Sequence, residues 1–383
     1  MRDPAALRLV IAGSFGYRDI GDEAMLTEDL RFIREEIGIP PQNVTLFGHD
    51  TSYIARYHGH PPERCLSSRR LERLGEHAEM LGLGVVGGAK RFAGNLLERR
   101  LSHGFDRFLR TVLSRADAAL VTGGGTINSR DAVGFSLRRM AAVTRAFRHY
   151  RLPLFVSGQT IGPLGEYPGH DALAAEIVAA ADILTVRDHR YSRRYLELIG
   201  AKPRELIETF DDAYTLDHAG CSLPDPTARF LDAGETAAVA INVTEYTSES
   251  FEDRAHVARL CDWLLARGDR VLLLSHTPRD QARLFQIHDM VDPVHRDRIH
   301  LPDARDWTGG QLKQAISRCR LAVGGRYHFI VFAGTSDTPF VGMAGNHYSY
   351  VKQHGFAEPL GLSRFVLTER ETRDFDTLVA RIR

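Results

Sequence analysis

The chain has 383 residues, too many for one typical core and suited to two domains of ordinary size. Lysine plus arginine equals aspartate plus glutamate at 49 each, so no overall field draws the protein to nucleic acid or to an anionic membrane, and any anion site must be local. The four cysteines, Cys65, Cys221, Cys261 and Cys319, are scattered without a CxxC pair, which argues against a zinc knuckle or disulfide framework and fits buried thiols in a reducing compartment.

The opening stretch MRDPAALRLVIAG is apolar over too short a length for a signal peptide or membrane span, so the expected location is cytoplasmic. Leu9 to Ala12 reads as a buried strand. It runs into Gly13-Ser14-Phe15-Gly16, then Asp19-Ile20-Gly21-Asp22-Glu23 and a periodic helix. Gly13 and Gly16 let backbone approach a ligand, and Asp22 or Glu23 is expected either to cap the helix or to bind. A second strand, Val44 to Phe47, precedes Gly48-His49-Asp50. From Ser52 to about Gly88 the pattern is weak, and the reading assigns it no role beyond a lid or subunit contact.

Ala118 to Thr122 is the next strand, and it ends in Gly123-Gly124-Gly125, three glycines where a plain turn needs fewer. A helix follows to Tyr150. Leu154 to Ser157 ends in Gly158-Gln159-Thr160, Ile183 to Val186 in Arg187-Asp188, and a short strand at Leu206 to Thr209 in Asp211-Asp212. Polar or glycine residues thus recur at strand ends, where open parallel sheets bind ligands. Residues 218–235, with Gly220, Pro224, Pro226 and Gly234, read as a linker between domains at 1–217 and 236–383. A second alternating array follows: strands at Ala237 to Val243, Arg270 to Leu274 (ending in Ser275-His276-Thr277-Pro278), Arg298 to Leu301, Leu321 to Val323 and Phe340 to Gly342. A helix near Tyr348 to Gln353 completes it, and the last helix is allowed to pack back on the first domain.

The densest signal is Leu321 to Gly334. A buried strand ends in Gly324-Gly325, expected to supply backbone conformations closed to other residues, and Arg326, Tyr327 and His328 sit in the turn before a helix from Phe329. If the turn is extended, Arg326 and His328 point to one side, and an anion there meets free N–H groups and the helix dipole. The turn therefore reads as half of an active site for a phosphorylated donor. The plainer alternative is an ordinary βα junction with a surface Arg and His. Ser114 to Gly124 and Ser317 to Gly325 echo one another as helix end, strand and glycine turn, which implies two similarly built α/β domains facing a central cleft.

Taken in order, GSFGYRDIGDEAML, VTGGGTI, SGQTIGP, TVRDHRYS, FDDAYTL, LLLSHTP, VGGRYH and VGMAGNHY resemble the polysaccharide pyruvyl transferase family over roughly Gly13 to Gly355. The resemblance implies two Rossmann-like domains of GT-B type and transfer of pyruvate from phosphoenolpyruvate to sugar hydroxyls as a ketal, with release of phosphate. It also implies roles. Arg326 and His328 match the donor-site Arg-Leu-His, with Tyr327 in place of leucine; Arg187 matches a donor-holding arginine, the alternative being an ion pair with Asp188. His276 matches a histidine near the donor, Gly123, Gly124 and Gly125 the central glycine run, and Asp22 the GDE. Three departures, Asp19 for Asn, Asp211-Asp212 for Asp-Pro, and no arginine after Ile241 to Thr244, lie on the acceptor side.

Phosphoenolpyruvate carries a carboxylate and a phosphate, which two guanidinium forks suit better than lysines, so Arg187 and Arg326 are expected to clamp it from opposite domains. His328 is the expected acid, since imidazole titrates near neutral pH, and the Gly324-Gly325 N–H groups are expected to hold the leaving phosphate. No HExxH or other ligand spacing asks for a metal, no cofactor is expected beyond the donor, and there is no GxSxG nucleophile. Expected partners are phosphoenolpyruvate and a sugar or glycan acceptor, lipid-linked precursors included, with a homo-oligomer allowed. The competing readings are a nucleotide-sugar glycosyltransferase of the same architecture, a pyruvyl transferase acting on another hydroxyl compound, and a non-catalytic ligand-binding protein.

Overall fold

The computed structural model describes residues 3–82, 107–130, 132–233 and 237–383. Residues 83–88 of the weakly patterned stretch, and 234–235 of the expected linker, lie outside them. The chain forms two compact units. The first comprises Met1–Tyr17, Asp29–Val186 and Ser192–Glu208; the second comprises Arg18–Glu28, Arg187–Tyr191 and Thr209–Arg383.

The first unit holds strands β1 (Leu9–Gly13), β2 (Val44–Gly48), β3 (Cys65–Ser67), β4 (Ala118–Thr122), β5 (Leu154–Gln159), β6 (Ile183–Val186) and β7 (Leu206–Glu208). They form one seven-stranded sheet in the order β3-β2-β1-β4-β5-β6-β7, every pair parallel. The order reverses between β1 and β4, the switch point at which such sheets bind ligands. The core joins Val10, Val121, Val156 and Leu184 to Leu137, Met140 and Phe147 of the helix Phe135–His149. The weakly patterned stretch supplies helices Thr51–His58 and Ser68–Gly82 around β3, the sheet's short edge.

The second unit repeats the plan with β8 (Ala238–Asn242), β9 (Arg270–Leu273), β10 (Ile299–His300), β11 (Leu321–Gly324), β12 (Phe340–Met343) and β13 (Val366–Leu367), ordered β10-β9-β8-β11-β12-β13 and again all parallel. Its strands are buried on both faces. Val239, Ile241, Val271, Leu273, Val323 and Val341 enter one core, while Ala238, Ala240, Leu272, Ala322 and Phe340 enter the other, the two-residue alternation of a pleated strand. That double burial is why these strands read as unbroken apolar runs.

Two expectations need correction. The stretch taken as a linker contains the helix Asp225–Asp232, started by Pro224-Asp225-Pro226. The last helix, Phe375–Ile382, buries Leu378 and Val379 in the second unit's own core, not in the first domain. Among the described residues no helix is long and apolar enough to cross a membrane.

Candidate active site

The second sheet reverses its order between β8 and β11, where Asn242 lies in register with Gly324. Asn242 is fully buried and ties the switch point together. Its Oδ1 accepts the Arg326 N–H at 3.0 Å, its Nδ2 donates to the Leu274 carbonyl at 2.7 Å, and its own carbonyl takes the Gly325 N–H at 3.4 Å. The glycines were expected to provide unusual backbone angles, yet neither has positive φ. They are needed for space instead: a Cβ on Gly324 would lie 3.0 Å from Asn242 Cβ, and one on Gly325 3.1 Å from Thr244 and Thr247. Nor do the Gly325 and Arg326 N–H groups await a phosphate, because Asn242 already satisfies them. The uncapped N–H groups belong to the helix Tyr327–Gly334, whose N-cap Arg326 makes no side-chain cap bond. That helix begins two residues earlier than expected, which places His328 in its first turn, so strand geometry does not relate His328 to Arg326.

Around Arg326 three carboxylates converge. Asp280 takes Nε and Nη2 at 2.9 and 2.7 Å, Glu245 takes Nη2 at 3.0 Å, and Asp19 stands 3.9 Å from Nη1. Local capping aims each of them. Thr277 caps the helix Pro278–Met290 by accepting the Asp280 N–H, and Thr244 caps Glu245–Ser248 in a capping box with Thr247. Asp19, and not Asp22 or Glu23, accepts the Gly21 N–H at 3.0 Å at the start of the first helix. Burial alone would lower the Arg326 pKa, but Asp280, Asp19 and Glu245 hold it above the usual range. Burial likewise opposes the Asp19 charge, yet Arg326, then His276 and His328, keep that carboxyl below its usual value. Asp22 is driven well above the carboxylate range by burial and by Asp19, so it favours its neutral form.

Arg187 does not pair with Asp188, whose Oδ1 caps Tyr191 at 2.7 Å. Arg187 pairs with Asp211 at 2.5 Å, both side chains without solvent exposure, and its guanidinium lies 4.1 Å from the Tyr327 ring centre. Burial opposes the Asp211 charge, and Arg187 followed by His328 holds its carboxyl well below the usual range. On the other side of Asp211, its Oδ2 faces His328 Nε2 at 3.6 Å. The remaining ring nitrogen, Nδ1, sits against Gly21, where any Cβ would overlap it. Both arginines therefore fall in the second unit, Arg187 through the 187–191 segment, whereas the sequence reading set them in opposite domains.

His276 is 1% exposed and rests between Phe329 and Phe332. Because the Asn242 amide is oriented by its two backbone partners, its Nδ2 donates toward His276 Nδ1 at 3.4 Å, which puts the ring proton on Nε2. Burial first, then Arg326 and His328 against an opposing Asp19, brings the His276 pKa down to about 3, so the ring is neutral at physiological pH.

The first unit gathers the other predicted residues at its own switch point. Gly123 and Gly125 take φ of 92° and 84°, and Gly16 takes 84°, so here glycine serves the backbone, with Gly124 between. A Cβ on Gly13 would overlap the Thr122 carbonyl. Gln159, expected to touch substrate, is fully buried with its amide committed: Nε2 donates to the Gly123 and Ser157 carbonyls, and Oε1 accepts from Thr126. It positions the glycine run. Sequence reasoning gave no role to Gly21, Asn242, Glu245 and Asp280, and it noted Asp211 as a strand-end residue and Asp19 before the first helix, both as departures from the family pattern, without naming either as a partner of the arginines. Asn242 alone had a local signal, a polar residue closing an apolar strand.

A sequence model of polysaccharide pyruvyl transferases matches residues 66–347. No curated protein matches the sequence. Among solved structures, the Methanocaldococcus jannaschii UDP-GlcNAc 2-epimerase, in complex with UDP-GlcNAc and UDP, is similar with a TM-score of 0.58 at 9% identity, covering 98% of this chain and 91% of that one. MnaA of S. aureus with UDP aligns at a TM-score of 0.54 and 11% identity, covering 88% and 79%. These likenesses speak for the fold, two Rossmann-like α/β domains of GT-B type. With nearly three quarters of its length inside the family match, the chain belongs to the polysaccharide pyruvyl transferase family.

Proposed function

We propose that the cluster at the second switch point moves a pyruvyl group from phosphoenolpyruvate to two hydroxyls of a sugar in a glycan or lipid-linked precursor, met in the cytoplasm, and releases inorganic phosphate. The observation that carries the reading is the chain of contacts Arg187–Asp211–His328, with Arg326 two residues away at the start of an uncapped helix. The donor is a compact polyanion. Arg326, whose Nε and Nη2 are hydrogen-bonded to carboxylates, offers Nη1, which stands 3.9 Å from Asp19 without a hydrogen bond to it, and the first-turn N–H groups of the helix Tyr327–Gly334 suit the phosphate. Arg187, fully buried and paired, fixes Asp211 and supplies positive potential.

His328 faces Asp211 through Nε2, which orients the ring, leaving Nδ1 beside Gly21 to act. The proton on Nδ1 goes to the donor's methylene carbon, which becomes the methyl group, and C2 becomes an oxocarbenium centre. A sugar hydroxyl adds to C2 and returns its proton to His328. A second hydroxyl then adds as the C2–O bond to phosphate breaks, its proton leaving with phosphate. One donor and two hydroxyls thus give one cyclic ketal and one phosphate. His276 stays neutral and serves as a hydrogen-bonding wall, with no part in proton transfer.

Phosphate release from phosphoenolpyruvate, measured over galactosyl, glucosyl and mannosyl acceptors, tests this reading. His328→Ala should lose at least about a hundredfold in rate. Equal release by wild type and variant would leave a ligand-binding protein without catalysis. The likeness to two UDP-bound proteins, one of them a UDP-GlcNAc 2-epimerase, favours one second reading, a nucleotide-sugar enzyme on the same fold. Stabilisation by a UDP-sugar, with none by phosphoenolpyruvate, would select it.

A further inference from the structure

The second unit carries a cavity of about 260 Å³ that the pyruvyl chemistry leaves unused. Its walls come from the short helix Glu245–Ser248, the helix Phe251–Ala266, the exit of β12 and the helix Glu369–Arg373. Gly345 makes it possible, because any Cβ there would overlap the Tyr246 carbonyl. The cavity shares Glu369 and Arg373 with a second, wider hollow of about 500 Å³, so together they form a groove.

The lining selects a ligand class. Glu252, Asp253 and Glu369 line it as hydrogen-bond acceptors and Arg373 already pairs with Glu369 at 3.3 Å, so hydroxyl donors match it better than a phosphate or carboxylate. His256 Nε2 donates to the Thr372 carbonyl at 2.9 Å, which leaves Nδ1 as an acceptor, and burial pushes this imidazole pKa down. Among the described residues no group of three or more His, Cys, Asp or Glu side chains is placed to hold a metal ion. Acceptor-rich walls, with Tyr246, Val257 and Met343 among them, fit a ligand that brings many hydroxyl donors and an apolar ring face.

We propose that this cavity is a subsite for an uncharged sugar residue of the acceptor glycan, one unit removed from the sugar that receives pyruvate. The proposal rests on the pyruvyl-transfer reading, since the same short helix lines the cavity with Tyr246 and grips Arg326 with Glu245 at 3.0 Å. The volume suits one pyranose, and the wider hollow leads the rest of the chain outward.

The test uses the full chain and two conservative variants, Glu252→Gln and Glu369→Gln. Saturation-transfer NMR with neutral galactosyl, glucosyl and mannosyl trisaccharides, without donor, should show one of them binding wild type and weakened about tenfold in each variant. With donor present, the KM for that trisaccharide should rise about tenfold while kcat, the KM for phosphoenolpyruvate and the KM for a monosaccharide acceptor stay level. The subsite is overturned if no trisaccharide binds, if the variants bind it as wild type does, or if the monosaccharide suffers equally. Should phosphoenolpyruvate not be consumed at all, the pyruvyl reading fails by itself, and the NMR comparison alone decides the subsite.

Discussion

The two glycine turns, Gly123 to Gly125 after β4 and Gly324-Gly325 after β11, occupy equivalent places in two sheets whose orders match apart from the added edge strand β7, yet glycine does different work in each. After β4 it supplies positive φ, 92° at Gly123 and 84° at Gly125, and the committed amide of Gln159 braces the turn. After β11 the backbone is ordinary, and glycine removes side chains so that Asn242, Thr244 and Thr247 can close in. Close packing there lets Arg326 meet Asp280 and Glu245, and lets His328 meet Asp211. The same sequence pattern thus marks a shaped loop in one unit and a compressed charge cluster in the other.

Breaking the charge cluster should produce the largest effects. Beyond the loss in rate expected for His328→Ala, Asp211→Asn leaves Arg187 buried without its counter-charge and should cost about 3–5 kcal/mol in urea unfolding. The folded Asp211 pKa lies below its unfolded value, so its contribution is full above the unfolded carboxylate value of about 4 and fades as pH falls through the depressed one. The gap between wild type and variant should accordingly hold from pH 8 to about 4 and close below that.

Intermediate effects separate the turns themselves. Gly123→Ala should destabilise by about 1–2 kcal/mol, and Gly123→Asn by less, because asparagine tolerates positive φ. At Gly325 the order should invert, alanine costing less than asparagine, because size decides there. The same rank order at both positions would erase the distinction. The smallest effect at neutral pH is expected from His276→Gln. The wild-type imidazole, with its folded pKa lowered to about 3, should lose stability as pH falls from about 6.5 toward 3, where the unfolded chain binds the extra proton. The variant's stability curve should lack that slope.

Both parallel arrays were legible in the sequence because strands buried on two faces read as apolar runs, and because glycine or polar residues mark their carboxyl ends. Arg187, Arg326 and His328 stood out for the same reason. Their partners did not. Asp280 looks like any first-turn acid behind Thr277-Pro278, Glu245 like any residue after a capping threonine, and Asp211 like a departure from a motif, because pairing with an arginine 46, 81 and 24 positions away leaves no local pattern. The helix Asp225–Asp232 was hidden by Pro224 and Pro226, which read as loop but serve at a helix start.

Titrating the melting temperature of the full chain with phosphoenolpyruvate and, separately, with UDP-sugars tests the central claim most directly. Phosphoenolpyruvate should raise it in wild type and lose that effect in Arg326→Met, while UDP-sugars leave it unmoved. A rise with a UDP-sugar and none with phosphoenolpyruvate would contradict the assignment of this charge cluster to a three-carbon phosphorylated acid.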